Sequence, residues 1–438
     1  GKTELRQVKH AKEGLKTLGI VKVELHYLSS PTLDNPNPLR LFLFSQFSAT
    51  ESKSCVLNRV FPLRASEAGK VSAMPSSSNL YVVLLSLDVT VIIMSELIEG
   101  LPDAVALRCL ARVPFFLHPK LELVSRSWKA VIRSPELFKA RQEVGSTEDL
   151  LCVCAFYPEN LWQLFDPLRD LWITLPILPS KIRHLSHFGA VSTAGKLFVL
   201  GGGSDAVDPQ TGDQDGIFAT NEVWSYDPII REWSPRASML VPRAMFACCV
   251  LDGKIVVVGG FTSCRKSISQ AEMYDPDKDV WVSIPDLHRT HNSACSGIVI
   301  GGKLHVLHKG LSTVQVLDSK GLEWTVEDYH WLQGPMAVIQ DSLYVMSHGS
   351  ISKQDGNVSK VVVSVSDFRR RISCAMTGLR DEIYVIGGVI GPDQWNCDIR
   401  PMSDVDVLMM CGERPTWRKA APMTQCRGTI LGCTQLRI

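Results

Sequence analysis

The sequence predicts an all-β propeller of six blades, preceded by a small all-α unit and by an N-terminal extension outside both. Three observations carry that expectation. A phrase closing on Trp recurs as FDPLRDLW (165–172), YDPIIREW (226–233), YDPDKDVW (274–281) and, more weakly, LDSKGLEW (317–324). Strand-like apolar runs end on paired glycines at Gly202-Gly203, Gly259-Gly260 and Gly387-Gly388. Between residues 97 and 138 the apolar spacing becomes that of helices.

The repeat sets the ring. Trp172, Trp233, Trp281, Trp324 and Trp417 lie 61, 48, 43 and 93 residues apart, so the last gap holds two units, one without its Trp. Within a unit, Asp-Gly or Gly-Gly between apolar runs favours a two-residue hairpin turn. The Asp-Pro segment makes a second tight turn, with Asp bonding the local backbone. Each unit is therefore a four-stranded antiparallel meander with two apolar faces, which must stack on neighbours to bury both. Clear copies span 187–235, 243–283, 292–326 and 373–419, and an eroded one spans 334–370, with Phe368 in place of Trp. FDPLRDLW is preceded only by strands near 150–156 and 161–166. RGTILGCTQL (427–436) aligns with RAMFACCVLD (243–252), the first strand of a complete unit. The ring is thus expected to span 150–438 and to be closed by the C-terminal strand 427–437.

The diglycine, Tyr and Trp in this order resemble the kelch repeat. On such a ring, long connections gather on one side, and variable loops on a rigid scaffold are where recognition sits. The expected target-binding face comprises Arg183, Arg243, His288, Arg289, His291, Tyr329, Trp331, Arg371, Trp395 and Arg427.

In the helical unit, expected over 96–142 with a linker at 143–149, Asp103 is suited to N-cap a first helix. Pro119 is suited to open a second helix, with Leu121, Val124, Trp128 and Val131/Ile132 on one face. Ser134-Pro135 starts a third. The order Leu-Pro, helix, Val-Pro, Leu-x-x-Val-Ser-x-x-Trp-x-x-x-Ile and Ser-Pro-x-Leu-Phe resembles an F-box. That resemblance implies docking on a Skp-type adaptor of a cullin–RING ubiquitin ligase. Leu101, Pro102, Val105, Leu110, Val113, Pro114, Leu123, Val124, Trp128 and Ile132 would form or support the adaptor surface, some of them as internal core. An F-box followed by a kelch ring resembles a plant family of F-box/kelch-repeat proteins. The resemblance implies a non-catalytic substrate receptor; a kelch scaffold without a degradation role is the alternative.

Composition narrows the remaining classes. A net charge of +1 over 438 residues offers no footprint for nucleic acid or an anionic membrane. The apolar run 80–94 is shorter than the roughly 20 residues of a bilayer span. Thirteen cysteines without a Cys-x-x-Cys pair point to reduced, mostly buried thiols in a cytoplasmic or nuclear protein. No cofactor or metal is expected: His305 and His308, three apart on a strand, point to opposite faces. The acidic stretch 204–216 lacks calcium-loop spacing. Residues 1–93 carry none of the repeat and are expected to be disordered or non-native.

Overall fold

In the computed structural model, residues 96–438 are described apart from 158–160, 205–217, 264–265, 319–322, 392–398 and 413. Of the extension, three strand segments are described, Lys22–Leu25, Arg40–Gln46 and Val60–Pro62, which pair antiparallel in chain order. The expectation for the rest of 1–93 and for the acidic stretch falls largely outside the described residues. Among the described residues no helix is long and apolar enough to cross a membrane.

Six four-stranded sheets follow one another. Blade 1 combines Asp149–Tyr157, Leu161–Asp166 and Leu171–Thr174 with the C-terminal strand Arg427–Arg437, which pairs on Asp149–Tyr157 as the innermost strand. Blades 2 to 6 span 189–236, 247–284, 295–328, 336–364 and 375–420. The hairpin chemistry is as the residues dictate: Asp252 and Gly253 both take positive φ, 48° and 76°. Asp166, Asp227 and Asp275 each accept from the backbone N–H groups two and three residues on. The paired glycines serve close approach. A Cβ on Gly260 (φ 86°) would lie 2.5 Å from the Ala244 carbonyl oxygen.

The recurrent Trp couples one blade to the next. The Trp172 indole donates to Ala421 O, Trp233 to Pro176 O, Trp281 to Ala237 O and Trp324 to Pro285 O, all at 2.7–2.8 Å. Each acceptor lies just after the outer strand of the preceding blade. Apolar clusters span the same seams, as where Phe198 and Leu200 of blade 2 meet Ile255, Tyr274 and Trp281 of blade 3.

Blade 5 departs from this pattern. Phe368 does not replace the missing Trp on the outer strand Val358–Ser364; it lies beyond it, in the 3₁₀ turn Ser366–Arg370. That turn uses the Val365 carbonyl to accept from Phe368 N, 3.1 Å away. This is the carbonyl corresponding in position to Ala237 and Pro285. Trp417 of blade 6 is consequently left with a buried Nε1 that has no acceptor among the described residues, its ring edge-on to Phe368 at 5.2 Å.

The helical unit consists of α1 (Asp103–Ala111), α2 (His118–Leu121), α3 (Arg126–Ile132) and α4 (Pro135–Glu143). Two expectations are corrected. Asp103 is the first residue of α1 rather than its cap, and its Oδ1 accepts from Leu97 N at 3.0 Å. The second helix is broken in two because Ser125 Oγ accepts from Trp128 N and starts α3 afresh. Ser134 caps α4 as its sequence suggests, accepting from Leu137 N.

Replacing Trp281 by Phe removes a made hydrogen bond, whereas replacing Trp417 by Phe removes a buried donor that has none. Trp281→Phe is therefore expected to cost about 1 kcal/mol more than Trp417→Phe in urea denaturation.

Candidate functional site: an adaptor surface and a loop face

The helical unit buries Leu110, Ile132, Leu137 and Ala140 in a core of its own, with Leu101 and Trp128 packed against it. The Trp128 indole donates to Leu97 O at 2.6 Å, tying α3 to the entering chain. Leu110 and Ile132 are thus internal and cannot contact an adaptor, while Leu101, Val113, Pro114 and Trp128 are half-buried supports. Pro102 is exposed, and three apolar side chains face solvent: Val105 at 46 %, Val124 at 59 % and Leu123 at 86 %. The break at Ser125 explains the last two. In a continuous helix Val124 would fall on the core stripe; in the turn before α3 both side chains project outward.

The unit does not hang on a free linker. It packs against the short turns of blades 1 and 2 through a buried ionic network. The Glu148 carboxylate accepts from Arg141 Nη2 (2.7 Å), Phe115 N (2.7 Å) and Arg169 Nη1 (2.6 Å). The Arg169 guanidinium also lies 4.6 Å from the Phe116 ring. Glu122 accepts from Arg133 and from Arg231 in blade 2, and Gly195 (φ 71°) lets Phe138 approach where a Cβ would sit 2.7 Å from its ring. Beside this network His118 is buried, its pKa lowered to about 4 by burial and then by Arg141. Nε2 lies 3.2 Å from Val113 O and 3.4 Å from Arg141 Nη1, and Nδ1 has no partner among the described residues.

On the opposite ends of the strands lie the long loops, and here the structure sorts the expected target-binding residues. Arg427 and Arg289 are exposed; the Arg289 backbone is held by the Gln315 amide. His288 is exposed, with Nε2 2.8 Å from Trp324 O. Arg183 is half-buried in a 3₁₀ turn, bonded to His184 at 2.9 Å. His291 packs its ring 4.8 Å from buried His308, whose pKa burial lowers to about 4. Trp395 lies outside the described residues.

Four residues are reassigned. Arg243 is fully buried: its guanidinium donates to Gly259 O, Gln270 O and the Glu272 carboxylate. Arg371 is equally interior, bonded to Gly387 O and, at 2.5 Å, to Asp406. Both bind the carbonyls around a diglycine, so they build blades 3 and 6 rather than meet a target. Tyr329 and Trp331 stack at 5.0 Å and join Leu307, Val314 and Val316 in a cluster that includes Met336 of blade 5. Trp331 donates to Gly356 O, so the pair fills the seam where blade 5 lacks its own Trp.

Sequence reasoning missed one set of residues whose signal was present. Gln163, Glu272, Gln315 and Asp406 stand two places before the residue that opens the repeated phrase or its counterpart. All four are buried, and each ties the stretch leading into a blade: Glu272 accepts from Leu240 N and Val241 N, Gln163 from Gln425 N and Cys426 N. The innermost strands line a channel of about 680 Å³ with small side chains such as Ala190, Ser192, Cys248 and Thr377. Among the described residues no group of three or more His, Cys, Asp or Glu is placed to hold a metal.

Comparison with known proteins matches the Kelch motif at residues 184–240 and 242–288 and the F-box domain at 98–140. The F-box/kelch-repeat protein SKIP30 of Arabidopsis thaliana is 70 % identical over 79 % of this chain and 98 % of its own length. This chain belongs to the F-box/kelch-repeat family. Similarity extends, at 28 % identity over 67 % of this chain and 82 % of the relative, to the Arabidopsis F-box protein AFR. The Arabidopsis F-box/kelch-repeat protein SKIP4 is 26 % identical over 76 % of this chain and 94 % of its own length. The ring is therefore a kelch propeller and the helical unit an F-box.

Two outcomes follow. Arg243→Met leaves Glu272 buried without its cation and is expected to cost about 3 kcal/mol or more in chemical denaturation. His118 has a folded-state pKa below its ordinary value, so the unfolded chain binds the proton more tightly. Its contribution is complete above about pH 6.5 and is lost as pH falls toward 4, by on the order of 3 kcal/mol. His118→Phe, in which Val113 O keeps its bond from Arg141 (2.7 Å), is expected to lose less stability than the parent between pH 7 and 4.5.

Proposed function

We propose that this chain is the target-recognition subunit of a Skp–cullin–F-box ubiquitin ligase, working in the cytosol, the nucleus or both. The observation that carries the reading is the outward apolar set Val105, Leu123 and Val124, on an F-box whose remaining apolar groups largely serve its own core. Exposed apolar side chains that serve no core of their own unit are the chemistry of a protein interface. The Skp-type adaptor would cover it, while the loop face, at the other ends of the strands from the F-box contact, stays open to a target protein.

On this reading the chain supplies no catalytic group. Its contribution is proximity: a target held on the ring has its lysines at high effective concentration near the charged conjugating enzyme. The buried Glu148 network serves that task by holding the target platform at a set position relative to the adaptor. The alternative, a kelch scaffold without a degradation role, differs in one observable. Disrupting the F-box would leave the half-life of ring-bound partners unchanged.

The test is complex formation between the full chain and a purified Skp-type adaptor by size-exclusion chromatography. The Leu123→Glu/Val124→Glu double variant alters only exposed side chains and is expected to lose co-elution, at least tenfold in affinity, with an unchanged melting midpoint. Equal adaptor binding by the variant and the parent would remove the proposed surface.

A further inference from the structure

Phe156 and Tyr157, at the loop-face end of the blade 1 strand Asp149–Tyr157, are both exposed, their rings packed edge-to-face at 5.4 Å. Neither serves the core of any blade. Arg427 is the cross-strand partner of Tyr157 and is itself exposed. The next residue, Gly428, brings Pro401 alongside: a Cβ there would lie 3.2 Å from Pro401 and 3.8 Å from the Tyr157 ring.

Pro401 belongs to a small three-stranded sheet raised above blade 6, in which Arg371–Ile372, Val389–Ile390 and Arg400–Pro401 pair in order. This sheet exposes Ile372 (52 %), and Ile399 (62 %) just before its last strand. Arg400 is exposed as well. Neither Arg400 nor Arg427 makes an ion pair among the described residues, in contrast to the buried, fully engaged Arg371 beside them.

Exposed aromatic rings, branched apolar side chains and guanidinium groups in one region are the composition of an interface centre rather than of a solvated loop. Two arginines without an ion pair among the described residues, next to apolar anchors, call for carboxylates, which guanidinium binds in a two-pronged geometry. We propose that Phe156, Tyr157, Ile372, Ile399, Arg400 and Arg427 form the target-recognition patch, and that it binds an acidic segment of the target protein carrying an aromatic or branched apolar anchor. The patch lies off the channel axis, over blades 1 and 6, so recognition is one-sided on the ring. This inference rests on the reading of the ring as the target receptor and adds the chemistry of the target.

The test uses a displayed library of random twelve-residue peptides selected on the full chain, with enriched sequences measured individually by fluorescence anisotropy. Peptides with two or more Asp or Glu beside Phe, Trp, Leu or Ile are expected to dominate. Their affinity should fall at least tenfold in Arg400→Glu/Arg427→Glu, and also in Tyr157→Ala, which keeps the charge. All these side chains are exposed, and an unchanged melting midpoint and adaptor co-elution would show that both variants fold. Enriched peptides without acidic residues, or equal binding to the charge-reversed variant, would overturn the patch while leaving target capture elsewhere on the ring intact. A selection that enriches nothing would overturn recognition of a linear acidic segment here. Loss of adaptor binding by the parent chain would instead undo the receptor reading itself.

Discussion

The blades and the F-box seated on them depend on the closure of the ring by its last strand. A four-stranded blade has two apolar faces, and only a closed array covers both faces of every blade. Arg427–Arg437 supplies the inner strand of blade 1, and one residue later the chain does a second job. Ile438 exchanges two backbone hydrogen bonds with Glu148, at 2.8 and 3.0 Å. The Glu148 carboxylate is the centre of the network that seats the F-box. The C-terminal segment therefore closes the ring with its strand and, through Ile438, bonds the backbone of the residue whose carboxylate helps seat the F-box.

The seams between blades show what the closed ring asks of each unit. Four indoles reach a carbonyl on the preceding blade, so the Trp combines a large apolar contact with a directional bond. Where blade 5 lost its Trp, two adjustments appear. Tyr329 and Trp331 enter one of its seams, and Phe368 packs on Trp417 at the other while its turn takes the carbonyl Trp417 would have used. The eroded copy is held by substitutes supplied from connecting segments.

How much of this was legible in the residues follows from where each signal lives. Blade number, hairpin turns and the helical unit are written in short-range patterns: Asp-Gly turns, diglycines and a helical apolar period. Arg243 and Arg371 look like loop-face arginines because their place before a strand is legible and their partners are not. Glu272 and Asp406 lie 29 and 35 residues further on and meet them only in the folded blade. Val124 and Ile132 shared one apolar stripe in the sequence until the Ser125 cap broke the helix between them. The strand expected near 150–156 carries no sign that Phe156 and Tyr157 are exposed, because exposure depends on what the neighbouring blade leaves uncovered. Position along the chain marked the elements; pairing across it decided which side chains are free to bind.

With the F-box seated on the short turns and the long loops at the other ends of the strands, the F-box and the loop face are separated by the height of the ring. The most direct measurement is a cryo-electron microscopy structure of the full chain bound to a Skp-type adaptor. The expected result has the adaptor against Val105, Leu123 and Val124, Glu148 still bonded to Arg141 and Arg169, and the loop face open. An adaptor seated over the loop face, or an F-box detached from blades 1 and 2, would contradict it.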